Sequence, residues 1–224
     1  MNQCQFYCQT IKRACNSAAL LPSAYQQVEY LQSSGTQYIN TGFIPTERFI
    51  TVCKAQYLEI NTRGLIAMGS HNYKANIGKT DSFGIVGGDG SGYYMYANPN
   101  SSFSTYTWTS FAPFTPGETV TLTEDWVTPV YKVNDSASTP NNYFGVFNWN
   151  PFYLFGRHLS DNSLANSGSM RIYSASIYNS VRAEVHNFIP CYRISDNKPG
   201  MYDLVTNTFF TNAGSGDFTV GNNV

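Results

Sequence analysis

A chain of 224 residues, 42% of them hydrophobic, can bury the core of one large β domain, and its length does not require two. Only 12% of the residues are charged, about half the usual share for a soluble domain, and aromatics reach 16%. With a net charge of −1 and no basic run longer than Lys12-Arg13, the chain lacks the electropositive footprint of a nucleic-acid binder, and no apolar run is long enough to cross a bilayer as a helix.

The first twenty residues differ from the rest. Cys4, Cys8, Ile11, Cys15 and Ala18 follow a 4-3-4-3 spacing, the seam of a short helix facing a partner, and Pro22 forbids its continuation. Such a helix is too short to hold alone in water, so residues 1–22 are expected to anchor the chain or build an oligomer. No charged segment followed by an apolar stretch opens the chain, and an export signal is not expected. Residues 23–224 are expected to form the folded domain.

From Gln27 the pattern becomes β. Val28-Glu29-Tyr30-Leu31 precedes a Ser-Ser-Gly turn and the strand Gln37-Tyr38-Ile39. Between Arg48 and Leu58, Phe49, Thr51, Cys53, Ala55 and Tyr57 fall on one face with a period of two. Gly64 to Gly69 is a short apolar run, and Phe83 to Val86 runs into the glycine-rich turn 87–92, before a strand from Tyr93 to Ala97. Alternation returns over Thr105 to Phe111. Thr119 to Thr123 and Trp126 to Asn134 read as a hairpin turning over Glu124-Asp125. Pro151 to Gly156 and Ser169 to Tyr178 are further strands, and the end of the chain reads as strand, Thr206-Asn207 turn, strand and a last strand at Phe218 to Val220. About a dozen short strands with Gly, Asn and Ser turns predict an all-β sandwich or barrel.

Catalytic chemistry is thin. A retaining glycanase needs two carboxylates about 5 Å apart, supplied on a strand by acids at alternate positions. The nearest cluster is Glu118, Glu124 and Asp125, and it lacks that spacing. His71 and His158 read as loop residues, and no Gly-x-Ser-x-Gly elbow occurs. Cys4, Cys8 and Cys15 offer three thiols without a nearby histidine, which suits a small-residue packing seam better than a zinc site. The loop acids Asp81, Asp89, Asp161 and Asp196 each stand alone; no metal or other cofactor is expected, and calcium stays open as an alternative that no cage of ligands supports. Cys53 and Cys191 read as small buried hydrophobes. The positive hint is aromatic. Tyr94 and Tyr96 share one face of a strand, as do Tyr106 and Trp108, and sugar rings stack on such faces; the plainer alternative has Tyr106 and Trp108 filling the core.

Three stretches resemble the jelly-roll sandwiches of the concanavalin A and laminin-G kind. They are Val130-Tyr131-Lys132-Val133-Asn134-Asp135, which is similar to a strand ending in an Asn-Gly hairpin, Phe152-Tyr153-Leu154-Phe155-Gly156-Arg157, and the Gly-initiated strand from Gly168 to Asn179. The ends of the chain, Leu21 to Gly42, Phe188 to Arg193, Gly200 to Val205 and Phe209 to Phe218, resemble the jelly-roll proteins of phages and prophages. The resemblance implies a jelly-roll β-sandwich with a short N-terminal helical segment, and a strand near Val28 paired beside a C-terminal one. It implies a non-catalytic bacteriophage virion protein, such as a capsid decoration, head fibre or tail fibre, that adheres to host or mucosal glycans. Its partners would be other virion proteins, reached through the N-terminal segment, and further copies of itself, most simply in a trimer. The alternative is a carbohydrate-binding lectin domain at a bacterial cell surface, and a glycoside hydrolase ranks below both. Fold alone does not choose among them.

Overall fold

The structure is a computed structural model, and it describes residues 21–61, 64–74, 79–87, 92–95, 110–139, 150–159 and 163–224. Cys4, Cys8, Ile11, Cys15 and Ala18 lie outside these residues, and so does the expected N-terminal helix. The described residues are all-β and include no helix.

In chain order the strands are β1 (Tyr25–Gln27), β2 (Leu31–Ser34), β3 (Ile39–Asn40), β4 (Ile50–Tyr57), β5 (Leu65–Ile66), β6 (Met68–Lys74) and β7 (Lys79–Phe83). Then come β8 (Ile85–Gly87), β9 (Tyr93–Met95), β10 (Ser110–Ala112), β11 (Thr119–Asp125), β12 (Val130–Val133), β13 (Ser136–Ser138) and β14 (Tyr153–Leu154). The last seven are β15 (Arg157–His158), β16 (Leu164–Ala165), β17 (Ser169–Tyr178), β18 (Glu184–Arg193), β19 (Lys198–Asp203), β20 (Thr208–Thr211) and β21 (Thr219–Val220).

They form three sheets. The largest runs β13-β12-β11-β4-β17-β18-β19-β20, with β1 beside β18, β2 beside β17 and β21 beside β2. A second runs β10-β9-β8-β5, and a third β16-β15-β6-β14-β3 with β7 on β6. One hydrophobic core draws on all three: Cys53, Tyr57, Leu122, Tyr131, Ile172 and Phe188 come from the large sheet, Ile85 and Tyr93 from the second, and Ile39 and Leu154 from the third. This layering is consistent with a β-sandwich.

The period of two in β4 works as expected. Thr51, Cys53, Ala55 and Tyr57 are buried together with Phe49, just before the strand. The ends of the chain also meet: Leu31 pairs with Val220, Val28 bridges Asn223, and Tyr25 pairs with Arg193. The Tyr25 ring packs 4.8 Å from Tyr202 and 4.9 Å from Phe209.

Turns explain where the strand boundaries depart from expectation. The β11–β12 turn falls at residues 126–129, so Glu124 and Asp125 end a strand rather than make the turn. Asp125 Oδ1 accepts the backbone N–H groups of Val127 at 2.9 Å and Thr128 at 2.7 Å, which moves the reversal one step on. The next turn is the two-residue loop Asn134-Asp135 between Val133 and Ser136, with Asn134 at φ 51°, the left-handed conformation a tight hairpin requires. The expected strand Pro151 to Gly156 is cut short because Phe155 and Gly156 have φ of 69° and 156°. The chain passes there from one side of β6 to the other, so β14 pairs antiparallel and β15 parallel with the same strand. A Cβ on Gly156 would sit 2.5 Å from Leu164 Cδ1, which leaves room for glycine alone.

The ten-residue strand β18 exceeds the short apolar stretch around Cys191 that the sequence suggests. Pro190 interrupts the reading, yet its carbonyl accepts Val28 N–H on the side where β1 has already ended. The N–H that proline lacks would point to that same side, so the ladder to β19 is intact.

Candidate functional site

Strand alternation gives the large sheet two unlike faces. The inner face carries a compact set of polar groups among aromatic rings. Glu124 is 3% exposed, and burial pushes its carboxyl up to about 8, with the nearby Ile85 backbone and Trp126 side chain acting in the lowering direction. It therefore stays protonated at neutral pH. Burial likewise pushes the Cys53 thiol up to about 12, with Glu124 as the second cause. The Tyr57 hydroxyl accepts the Ala67 N–H at 3.1 Å. Glu124 has no acid partner for bond cleavage nearby in the strand: Asp125 points to the opposite face and pairs with Arg182 at 3.0 Å, and Glu118 is exposed before β11 begins.

A second pair lies in the last hairpins. His186 Nδ1 is 2.7 Å from Asp203 Oδ2, and Asp203 also accepts from Asn187 N at 2.8 Å, Val205 N at 3.1 Å and Thr206 Oγ1 at 2.7 Å. Burial raises the Asp203 carboxyl, but these donors together win and hold it at about 2. The His186 ring stacks on Phe188 at 5.4 Å and meets Phe43 edge-on at 5.7 Å. Its neighbours are thus a carboxylate and two apolar rings, and the pair ties down the Leu204–Asn207 turn.

The outer face holds the arrangement best suited to a ligand. Glu29, Tyr30, Lys54, Arg171, Tyr173 and Ser174 line an open hollow of about 610 Å³. Arg171 organises it. Its Nε donates to Gln32 Oε1 at 2.8 Å and its Nη1 to Gln56 Oε1 at 3.0 Å, while its guanidinium lies 4.3 Å over the Tyr30 ring. Tyr173 OH donates to the same Gln56 oxygen at 3.2 Å, and Gln56 Nε2 is anchored on the Gly117 carbonyl at 2.6 Å. Tyr30 and Tyr173 meet edge to face at 5.5 Å, and Lys54 Nζ lies 5.6 Å over Tyr173. Two rings, two amides and two cations are held in one geometry before any ligand arrives.

A bulge in β17 builds this platform. The register against β4 shifts between Ile172, opposite Ala55, and Ser174, opposite Lys54. Ile172 and Ala175 are both buried, so Tyr173 and Ser174 together face outward, where strict alternation would have turned one of them in. A second hollow of about 510 Å³ continues along the same strands, lined among others by Val52, Thr123, Asp125, Lys132, Tyr178 and Arg182.

The residues expected to bind sugar are placed as follows. Tyr94 lies in β9, its backbone opposite Val86 and Ser110. Tyr96, Tyr106 and Trp108 lie outside the described residues. His71 and His158 belong to strands β6 and β15 rather than loops, and His158 is buried with its ring edge-on to Tyr153 at 4.5 Å. Of the loop acids, Asp196 grips Arg193 at 2.6 Å and caps Lys198 N–H at 3.2 Å, while Asp89 and Asp161 lie outside the described residues. Among the described residues no group of three or more His, Cys, Asp or Glu could hold a metal ion.

Sequence reading passed over Tyr30, Lys54, Gln56, Arg171 and Tyr173. One signal was available: the buried series Met170, Ile172, Ala175, Ile177 breaks its period of two once, at the bulge. The chain matches no protein-family model and no curated protein.

Proposed function

We propose that this protein is a non-catalytic glycan-binding module with a jelly-roll-type sandwich, serving as a structural or adhesion component of a phage virion. One observation carries the binding reading: the Tyr30 and Tyr173 rings are fixed beside the oriented amides of Gln32 and Gln56 on an open face. Aromatic faces receive the C–H faces of sugars, and amides with a hydroxyl direct specificity through hydrogen bonds. The virion setting rests on the resemblance of the two chain ends to phage and prophage jelly-roll proteins. In that setting residues 1–22 join the domain to other virion proteins or to further copies of itself.

A glycan array probed with the full chain tests the binding reading. Binding should be lost in Tyr173→Ala while the melting temperature is kept. An array that stays blank, or one indifferent to Tyr173→Ala, overturns it. Removal of residues 1–20 should turn an oligomer into a monomer by mass photometry, and an unchanged mass counts against the anchoring role.

A further inference from the structure

Resting on the glycan reading, we propose that the ligand of the Tyr30–Tyr173 hollow is an acidic sugar, one bearing a carboxylate or sulfate, held by Lys54 and Arg171. The charge in the hollow is unbalanced. Three other surface cations hold carboxylates: Arg182 pairs with Asp125 at 3.0 Å, Arg193 with Asp196 at 2.6 Å and Lys198 with Asp217 at 2.6 Å. In the hollow the pattern reverses. Arg171 is oriented by two neutral amide oxygens and a ring, and no described carboxylate neutralises it. Its Nη2 group donates to no described residue. Lys54 contacts the Tyr173 ring and forms no ion pair among the described residues.

The one carboxylate lining the hollow is Glu29, and it is turned to the chain terminus, where its Oε2 accepts from Asn222 Nδ2 at 3.0 Å and Asn222 N at 3.3 Å. Two cations therefore face one acid that is already engaged. A neutral sugar would be served by rings, amides and the Ser174 hydroxyl alone. A guanidinium fixed in place but left without a counter-ion is suited to an anionic group, which it meets by charge-assisted hydrogen bonds. The aromatic floor separates such a sugar from a bare phosphate, because it recognises the ring that carries the charge.

The test pairs acidic glycans with neutral counterparts: a sialylated mucin against the same mucin after sialidase, and polygalacturonate against its methyl ester, each titrated into the full chain by calorimetry. At least one acidic form should bind roughly tenfold more tightly than its neutral partner. Lys54→Met should erase most of that difference, and Lys54→Arg should retain it. Lys54 is exposed, so neither change threatens folding. Equal binding of acidic and neutral forms overturns the charge inference and leaves glycan binding standing. Binding of neither form, with a blank array, overturns both. Equally tight binding of a single-stranded homopolymeric nucleic acid shows a non-selective polyanion surface and also overturns the inference.

Discussion

The two faces of the large sheet use the same strands for opposite ends. On β4, Cys53, Ala55 and Tyr57 point into the core, and Lys54 and Gln56 point out to the hollow. On β11, Glu124 is sealed inside and Asp125, the next residue, meets Arg182 outside. Inside, polarity is a burden. The Glu124 carboxyl shifts toward its neutral form because water is excluded, and its ionisation works against the fold. Outside, polarity is an instrument, since amides and cations stay solvated until a ligand replaces the water. A residue type thus does not announce its role; its side of the strand does.

The comparison can be broken most forcefully from within. Phe152 is fully buried and sits 5.4 Å from Phe49, and Phe152→Ala should cost about 3–5 kcal/mol in urea denaturation. A loss below about 1 kcal/mol would mean that the core is not shared between the sheets as described.

Next in size is the pH dependence set by Glu124. Its carboxyl is raised from 4.5 to about 8 in the fold. The folded state therefore holds a proton that the unfolded chain releases, and stability is complete below pH 4.5 and declines as pH rises through about 8. Glu124→Gln mimics the protonated form. It should melt close to the wild type at pH 5 and higher at pH 9, by roughly 3 kcal/mol of relative stability. Parallel melting curves for the two proteins across that range would show that Glu124 is solvated.

Asp203 has the opposite sign. Its carboxyl is lowered from 3.8 to about 2, so its contribution is present above pH 3.8 and is lost as pH falls through about 2. Asp203→Asn should lower stability at pH 7 by about 2 kcal/mol and make the protein less sensitive to acid. Hydrogen exchange at Asn187 and Val205, whose amides it accepts, should speed up in the same variant.

The smallest stability effect belongs to the outer face. Tyr30→Ala removes the ring beneath Arg171, at a cost of about 1 kcal/mol or less, and should abolish glycan binding. A large stability loss there would make the platform a structural brace, and the contrast between the two faces would fail.

The comparison also marks how far the sequence could be read. The buried face of β4 was legible because five residues from Phe49 to Tyr57 keep a strict period of two, and burial on one side of a strand imposes that period. The Asn134-Asp135 hairpin was legible only through the family resemblance, and its Asn134 takes the left-handed backbone that asparagine tolerates in a tight turn. The platform was not. Tyr30 lies between strands, Gln32 on β2, Lys54 and Gln56 on β4, and Arg171 and Tyr173 on β17, and only pairing puts them side by side. Tyr94 with Tyr96 and Tyr106 with Trp108 are pairs within single stretches of sequence, since a lone sequence shows neighbours along one strand and none across strands.

By itself, then, the sequence determined the β character of the described residues, the low charge of the chain and the inward set of β4, because each of these follows from composition, backbone preference or one-sided burial. Only the tertiary structure decided which strands lie side by side, where β17 bulges, that the carboxyl of Glu124 is enclosed, and that Arg171 is oriented without a counter-ion. Those are properties of contacts between residues more than a hundred positions apart, such as Arg171 with Gln32 and Gln56, and such contacts exist only once the sheet has closed.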